Sequence, residues 1–184
     1  MEWHAKGPAL ILAGLAMLGV REARGEVLEA TAGGFAIKHT LTIAATRIRI
    51  YDALVQALGL WWDPEHTYSG DAKNLSIDPR PGGCFCERMP LQAGAVQHST
   101  VVLVIPYKTL RLAGGLGPLQ ESGVSGSLTF ELAERVGGTD VTMTYSVGGY
   151  RQGGLQDLAP LVDTVLGAQL RRLKGYVEKG MPAP

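Results

Sequence analysis

The chain is short of the features that would mark several functional classes. Among its 184 residues, Lys plus Arg equals Asp plus Glu at 17 each, so there is no basic excess. A nucleic-acid binder normally carries a basic stripe, and a polybasic membrane anchor needs one too; a balanced surface argues against both. Aromatic residues make up only 7%. There is no Gly-x-x-x-x-Gly-Lys-Ser/Thr phosphate loop, no Gly-x-Ser-x-Gly elbow and no His-Glu-x-x-His pair. Gly114-Gly-Leu-Gly-Pro118 resembles a glycine loop only superficially, since Pro118 lacks an N–H and no helix follows to present its N-terminus to phosphate.

Cysteine is nearly absent. Cys84 and Cys86 are the two in the chain, within Gly83-Cys-Phe-Cys-Glu87. Two thiolates fall short of a zinc site, which takes four ligands. On a regular strand their Cα atoms would stand roughly 6.5–7 Å apart, at or past the limit for an unstrained bridge. The simplest reading is two small buried apolar side chains on one strand face, with a strained redox pair or a transient metal site as alternatives.

The longest apolar run is also short. Pro8 to Val20 follows Lys6 and precedes Ala23 and Gly25, small residues suited to a cut before Glu26. Thirteen residues is little for a membrane span and the right length for the core of a signal peptide. The expectation is a cleaved leader over residues 1–25, a periplasmic or secreted protein, and no membrane span after cleavage. Residues 26–33 read as a linker.

What is present is periodicity. Hydrophobic residues make up 46% and charged residues 18%, enough apolar matter for one well-buried domain. Phe35, Ile37, His39, Leu41 and Ile43 alternate with Ala36, Lys38, Thr40 and Thr42, the period of a half-buried strand. Ile48, Tyr51, Leu54, Val55 and Leu58 then recur at helical spacing, with Thr46 as N-cap and Gly59 as C-cap. Strands follow at 74–78, 84–89, 96–105, 109–113, 125–134 and 141–147, the last two joined by a turn at Gly137-Gly138. From Leu155 the period becomes 3.6: Leu155, Leu158, Val162, Leu166, Leu170, Leu173 and Val177 trace one stripe of a helix about 24 residues long. The order is that of an α+β fold. A twisted sheet does not lie flush along so long a helix, so an apolar gap is expected between them.

The order of elements, and the segments Trp61-Trp-Asp-Pro-Glu-His-Thr-Tyr-Ser-Gly70, Leu75-Ser-Ile-Asp-Pro-Arg-Pro-Gly-Gly83, Leu110-Arg-Leu-Ala-Gly-Gly-Leu-Gly117 and Gly138-Thr-Asp-Val-Thr-Met-Thr-Tyr145, resemble the SRPBCC, or START-like, superfamily. The likeness covers roughly residues 34–180 and points to its polyketide-cyclase-like and chaperone-ATPase-activator-like branches. It implies a helix-grip fold: a curved antiparallel sheet of about six or seven strands around the C-terminal helix, with a cavity between them. Members of the superfamily include lipid carriers, hormone receptors, aromatase/cyclases and co-chaperone domains. A leader peptide sets this chain apart from the cytosolic co-chaperones.

The candidate ligand-binding residues are Trp61, Trp62, His39, His98, Tyr145, Met143, Phe130, Leu158 and Val162, with Tyr68 and Arg88 as weaker ones. His39, His98 and Tyr145 are the candidate acid/base set should the protein be an enzyme. Asp63, Glu65 and His66 form a loop cluster, read first as solvated charge. Neither a cofactor nor a resident metal is implied. The expected partner is a small hydrophobic molecule, lipid or polyketide-like, held in the cavity. A cyclase or dehydratase using the same cavity is the alternative, and a co-chaperone-like partner module ranks last.

Overall fold

A computed structural model describes residues 24–184; of the expected leader, residues 1–25, all but Arg24 and Gly25 lie outside them. Eight antiparallel strands form one sheet in the order β1-β2-β8-β7-β6-β5-β4-β3. They are β1 (Arg24–Thr31), β2 (Gly34–Ile43), β3 (Leu75–Ile77), β4 (Cys84–Met89), β5 (Gly94–Ile105), β6 (Thr109–Ala113), β7 (Gly123–Arg135) and β8 (Gly138–Tyr150). Helices α1 (Arg47–Gln56) and α2 (Leu58–Trp61) follow β2, and α3 (Ala159–Lys179) closes the chain. This is the α+β helix-grip arrangement. Among the described residues no helix is long and apolar enough to cross a membrane.

The alternation in β2 is realised directly: Phe35, Ile37, His39, Leu41 and Ile43 are buried and their neighbours are not. β7 and β8 pair over their full length through a two-residue turn at Val136-Gly137, where Gly137 takes a positive φ of 85°. In α1, Thr46 caps the N-terminus by accepting from the Arg49 N–H at 3.3 Å. Gly59 is not the C-cap. It lies inside α2, where a Cβ would stand 2.7 Å from the Ala72 carbonyl oxygen. Close packing of two backbones, and not a turn, requires glycine there.

Two expectations are corrected. Residues 26–33 are not a linker, because Arg24–Thr31 form an eighth strand along the free edge of β2. A bulge at Leu28, between the pairs Val27/Ile37 and Glu29/Ala36, breaks the period that would have revealed it. The two cysteines are bonded as a disulfide, with Cα atoms 5.3 Å apart. They share the outer face of β4, half-buried, at the point where the register against β5 shifts. Their Cα atoms stand closer than the roughly 6.5–7 Å of a regular strand.

The long helix crosses the inner face of the sheet. Pro160 sits in its first turn and Gly180 ends it at a φ of 78°, its N–H donating to the Tyr176 carbonyl at 2.9 Å. Along the apolar stripe Leu155, Leu166, Leu170, Leu173 and Val177 are buried, as is Ala159 in the first turn, whereas Leu158 and Val162 are half-buried. The helix follows β2 closely, with Gly167 against His39, Lys174 Nζ donating to the Thr42 carbonyl at 2.7 Å and Glu178 accepting from the Ala44 N–H at 2.8 Å; the leading half stands off β3–β5 on its other side.

Contact between α3 and the β1–β2 side of the sheet is set by one histidine. His39 projects from β2 between Gly25 of β1 and Gly167 of α3, and its Nε2 lies 2.8 Å from Asp163 Oδ1. A Cβ at Gly167 would stand 2.6 Å from the His39 ring, and a Cβ at Gly25 would also collide with it. Alanine is favoured over glycine by about 1 kcal/mol within a helix, so a structural clash must outweigh propensity here. Gly167→Ala should lower stability by about 1–2 kcal/mol in urea denaturation. His39→Ala in the same chain should return most of that loss as a positive coupling in a double-mutant cycle.

Candidate functional site

Where the leading half of α3 stands off β3–β5, a cavity of about 500 Å³ opens. That is within the range for sites taking small organic molecules. Three elements wall it. Leu75, Phe85 and His98 come from strands β3, β4 and β5; Leu158, Val162, Val165 and Leu166 come from α3 and the turn before it. Trp62 and Tyr68 from the loop after α2, and Leu116 and Leu119 from the loop between β6 and β7, complete the sides. The mouth carries the exposed residues Glu65, His66, Pro118, Leu161 and Glu121.

The aromatic wall is continuous. The Trp62 ring meets Phe85 at 5.8 Å, Phe85 meets His98 at 4.9 Å, and His98 meets Tyr68 at 5.8 Å between centroids. Such offset contacts fix ring planes as well as burying area. The Trp62 indole N–H donates to the His66 carbonyl at 3.1 Å, and the Tyr68 hydroxyl donates to the Gly117 carbonyl at 3.1 Å. The second bond ties the two flanking loops together across the cavity.

A buried carboxylate organises this wall. Glu87 shares the inner face of β4 with Phe85 and has no solvent exposure. Its oxygens accept from the Tyr68 N–H at 3.0 Å, from the Ser69 N–H, and from His98 Nε2 at 3.0 Å. Burial alone raises a carboxyl, but the hydrogen bonds from Ser69, Tyr68 and His98 outweigh it and hold Glu87 below the usual carboxylate range. Desolvation lowers His98, and attraction to Glu87 only partly offsets that. Glu87 is therefore an acceptor throughout, and His98 presents its proton on Nε2. Among the described residues, His98 Nδ1 meets no hydrogen-bond partner.

A strand irregularity aims this histidine. The register between β4 and β5 runs Phe85 opposite Ser99 and then Cys86 opposite Gln97, which leaves His98 as the extra residue of a bulge. His98 and Ser99 are consecutive and both buried, which a regular strand could not arrange on one face.

The candidate residues from sequence divide clearly. Trp62, His98, Leu158 and Val162 line the cavity. Trp61 is core, with its indole N–H donating to the Ala53 carbonyl at 2.8 Å. Met143 and Phe130 face one another on β8 and β7 within the packed interior, and behind Trp62 and Phe85 only about 10 Å³ is free. His39 is held between β2 and α3, away from the cavity lining. Tyr145 is buried; its hydroxyl donates to Gly114 O at 3.1 Å and accepts from the Leu116 N–H at 3.0 Å, and desolvation pushes the phenol up to about 12. It supports the β6–β7 loop from behind and does not border the cavity. Tyr68 is a wall residue, while Arg88 is exposed.

Sequence reasoning missed Glu87. Its parity with Phe85 was the available signal, since an inward carboxylate demands donors. The Asp63–Glu65–His66 segment is a capped turn: Asp63 Oδ1 accepts from the Glu65 N–H at 3.1 Å, and the Asp63 N–H donates to Gln169 Oε1 on α3 at 2.9 Å. Among the described residues no group of three or more His, Cys, Asp or Glu side chains is placed to hold a metal ion.

Both depressed groups bear on pH stability in the same direction. Each binds protons more weakly in the fold than in the unfolded chain, so acidification favours unfolding. His98 contributes fully above its ordinary value of 6.5 and loses that contribution as pH falls below it; Glu87 does the same from 4.5 downward. Thermal melts should therefore show Tm falling in two limbs. His98→Gln should flatten the limb just below pH 6.5 and leave the lower one; an unchanged upper limb in that variant would contradict the assignment.

The relatives agree with this architecture. The solution structure of the Aha1 dimer from Colwellia psychrerythraea is 25% identical, with a TM-score of 0.56 over 79% of this chain and 97% of that one. CalU16 from Micromonospora echinospora is similar in fold at 15% identity, with a TM-score of 0.53 over 89% and 86% of the two chains. The conserved protein EF2215 from Enterococcus faecalis, at 15% identity, gives a TM-score of 0.58 over 89% and 81%. No curated protein sequence matches the chain significantly. The family model described as Activator of Hsp90 ATPase homolog 1-like protein matches residues 44–178, from the end of β2 to the last turn of α3, and on that match the chain belongs to this family within the SRPBCC superfamily.

Proposed function

We propose that the protein binds a small hydrophobic molecule in the cavity between β3–β5 and the leading half of α3. The observation that carries this reading is the combination of about 500 Å³ of space, a largely apolar and aromatic wall, and a mouth to solvent. A fold that keeps an apolar, open-mouthed space of that size beside a packed core is consistent with a site kept for an occupant.

A cyclase or dehydratase acting in the same cavity is the second reading, and one observation favours it: the Glu87–His98 pair has the geometry of an oriented general base. The three-residue acid/base set expected from sequence does not meet in one place, since His39 and Tyr145 lie outside the cavity lining. A chaperone-partner role has the family description and the Aha1 relative in its favour and ranks third. The leader-like segment before Glu26 and the Cys84–Cys86 disulfide together support export to an oxidising compartment. Cleavage before Glu26 would still leave Glu26 to Thr31 to pair along β2.

One preparation tests both parts. Full-length gene product recovered from the cell envelope or medium and analysed by native mass spectrometry should begin at Glu26, weigh two hydrogens less than the reduced chain, and carry apolar adducts. Val162→Trp, which places an indole in the cavity, should remove the adducts and weaken a fluorescent apolar probe by at least about tenfold while far-ultraviolet dichroism stays unchanged. Probe binding that is indifferent to this substitution would place the binding elsewhere.

A further inference from the structure

The polar atoms of the cavity are unbalanced in a way that selects its occupant. Every side-chain donor on the inner wall is already committed to the protein's own loops. The Tyr68 hydroxyl donates to Gly117 O, the Thr67 hydroxyl to Pro64 O at 2.7 Å, and the Trp62 indole N–H to His66 O. The Leu116 backbone N–H is taken by the Tyr145 hydroxyl. His98 Nε2–H is taken by Glu87. What remains inside is an acceptor, His98 Nδ1, on a ring that lines the cavity. At the mouth Glu65 and Glu121 add further acceptors and negative charge, beside the ring of His66.

An occupant must complement that pattern. A ketone, ester or ether brings acceptors alone and leaves the imidazole nitrogen unpaired, which costs as much as a lost hydrogen bond. A fatty-acid carboxylate finds no free donor within, and at the entrance it meets two carboxylates against the single imidazole of His66. A flat ring system suits the faces of Trp62, Phe85 and Tyr68. We propose that His98, oriented by Glu87, is the polar anchor of the cavity and selects a neutral aromatic ligand carrying one weakly acidic O–H, a phenol or an enol, whose hydroxyl donates to Nδ1. This rests on the cavity being a ligand site, as proposed above. Glu87 acts as a positioning residue: it fixes which nitrogen carries the proton and holds the Tyr68 wall in place.

The test compares 2-naphthol with 2-methoxynaphthalene, which have the same ring and differ in the donor. The full chain should bind the naphthol about tenfold more tightly, the worth of one hydrogen bond. In His98→Leu that ratio should fall to about one. Nitrogen-15 spectra of the unmodified protein provide a readout that needs no variant: the His98 Nδ1 resonance should move on adding the naphthol and stay in place on adding the ether. Equal affinity for both compounds, or a ratio that survives His98→Leu, overturns the proposal and leaves the cavity reading standing. Binding of neither compound overturns the cavity reading and this proposal with it.

Discussion

A fully buried carboxylate is the constraint around which the functional end of this molecule is arranged. Glu87 has no contact with solvent, and an ionised carboxyl persists in such a place only when donors surround it. Its donors come from two elements that are far apart in the sequence: the loop after α2, through the Tyr68 and Ser69 amides, and the bulge of β5, through His98. Satisfying one charge therefore fixes a loop against a strand. The cavity wall is the space those two pieces enclose, so its shape is a by-product of hydrogen-bond bookkeeping at Glu87.

The gap itself has a second origin. α3 runs for 21 residues across a sheet that twists beneath it, so it does not lie close to every strand at once. The molecule places the close approach along β1 and β2, where Gly25 and Gly167 admit His39 between strand and helix. The separation opens on the other side of the leading turns, toward β3–β5, where Leu158 and Val162 are left half-buried. The loop between β6 and β7 fills the remaining side, held from behind by the Tyr145 hydroxyl on Gly114 and Leu116. Tyr145 thus shapes the cavity without facing it.

How much of this is legible in the sequence depends on whether period alone decides it. β2, β7, β8 and α3 follow from alternation or a 3.6-residue stripe, and so do Leu158 and Val162 as cavity residues, because the stripe names the helix face whatever lies opposite. Irregularity hides the rest. The bulge at Leu28 disguises β1 as a linker, and the bulge at His98 shifts the parity of β5, so neither the inward pairing of His98 with Ser99 nor the geometry that joins Cys84 to Cys86 follows from a regular strand. Glu87 is hidden for a different reason. Between Cys86 and Arg88 it reads as an ordinary solvated charge, and the donors that make its burial tolerable come from backbone amides, whose direction no side-chain pattern records.

The same hydrogen-bond pattern weighs between carrier and enzyme. Cyclisation or dehydration of a carbonyl compound needs a base to remove one proton and a donor to stabilise the oxygen on which charge develops. His98 supplies the first. The inner donors that could supply the second are committed to the protein's own carbonyls or, at Leu116, to the Tyr145 hydroxyl, and the loop structure that forms the cavity depends on those bonds. Releasing Tyr68 from Gly117 to serve a substrate would untie the two loops whose closure makes the site. On the proposed reading, a cavity built this way would hold a hydroxylated aromatic molecule more readily than transform one, and the balance of donors and acceptors, more than the fold, is what favours the binding proposal over the catalytic one.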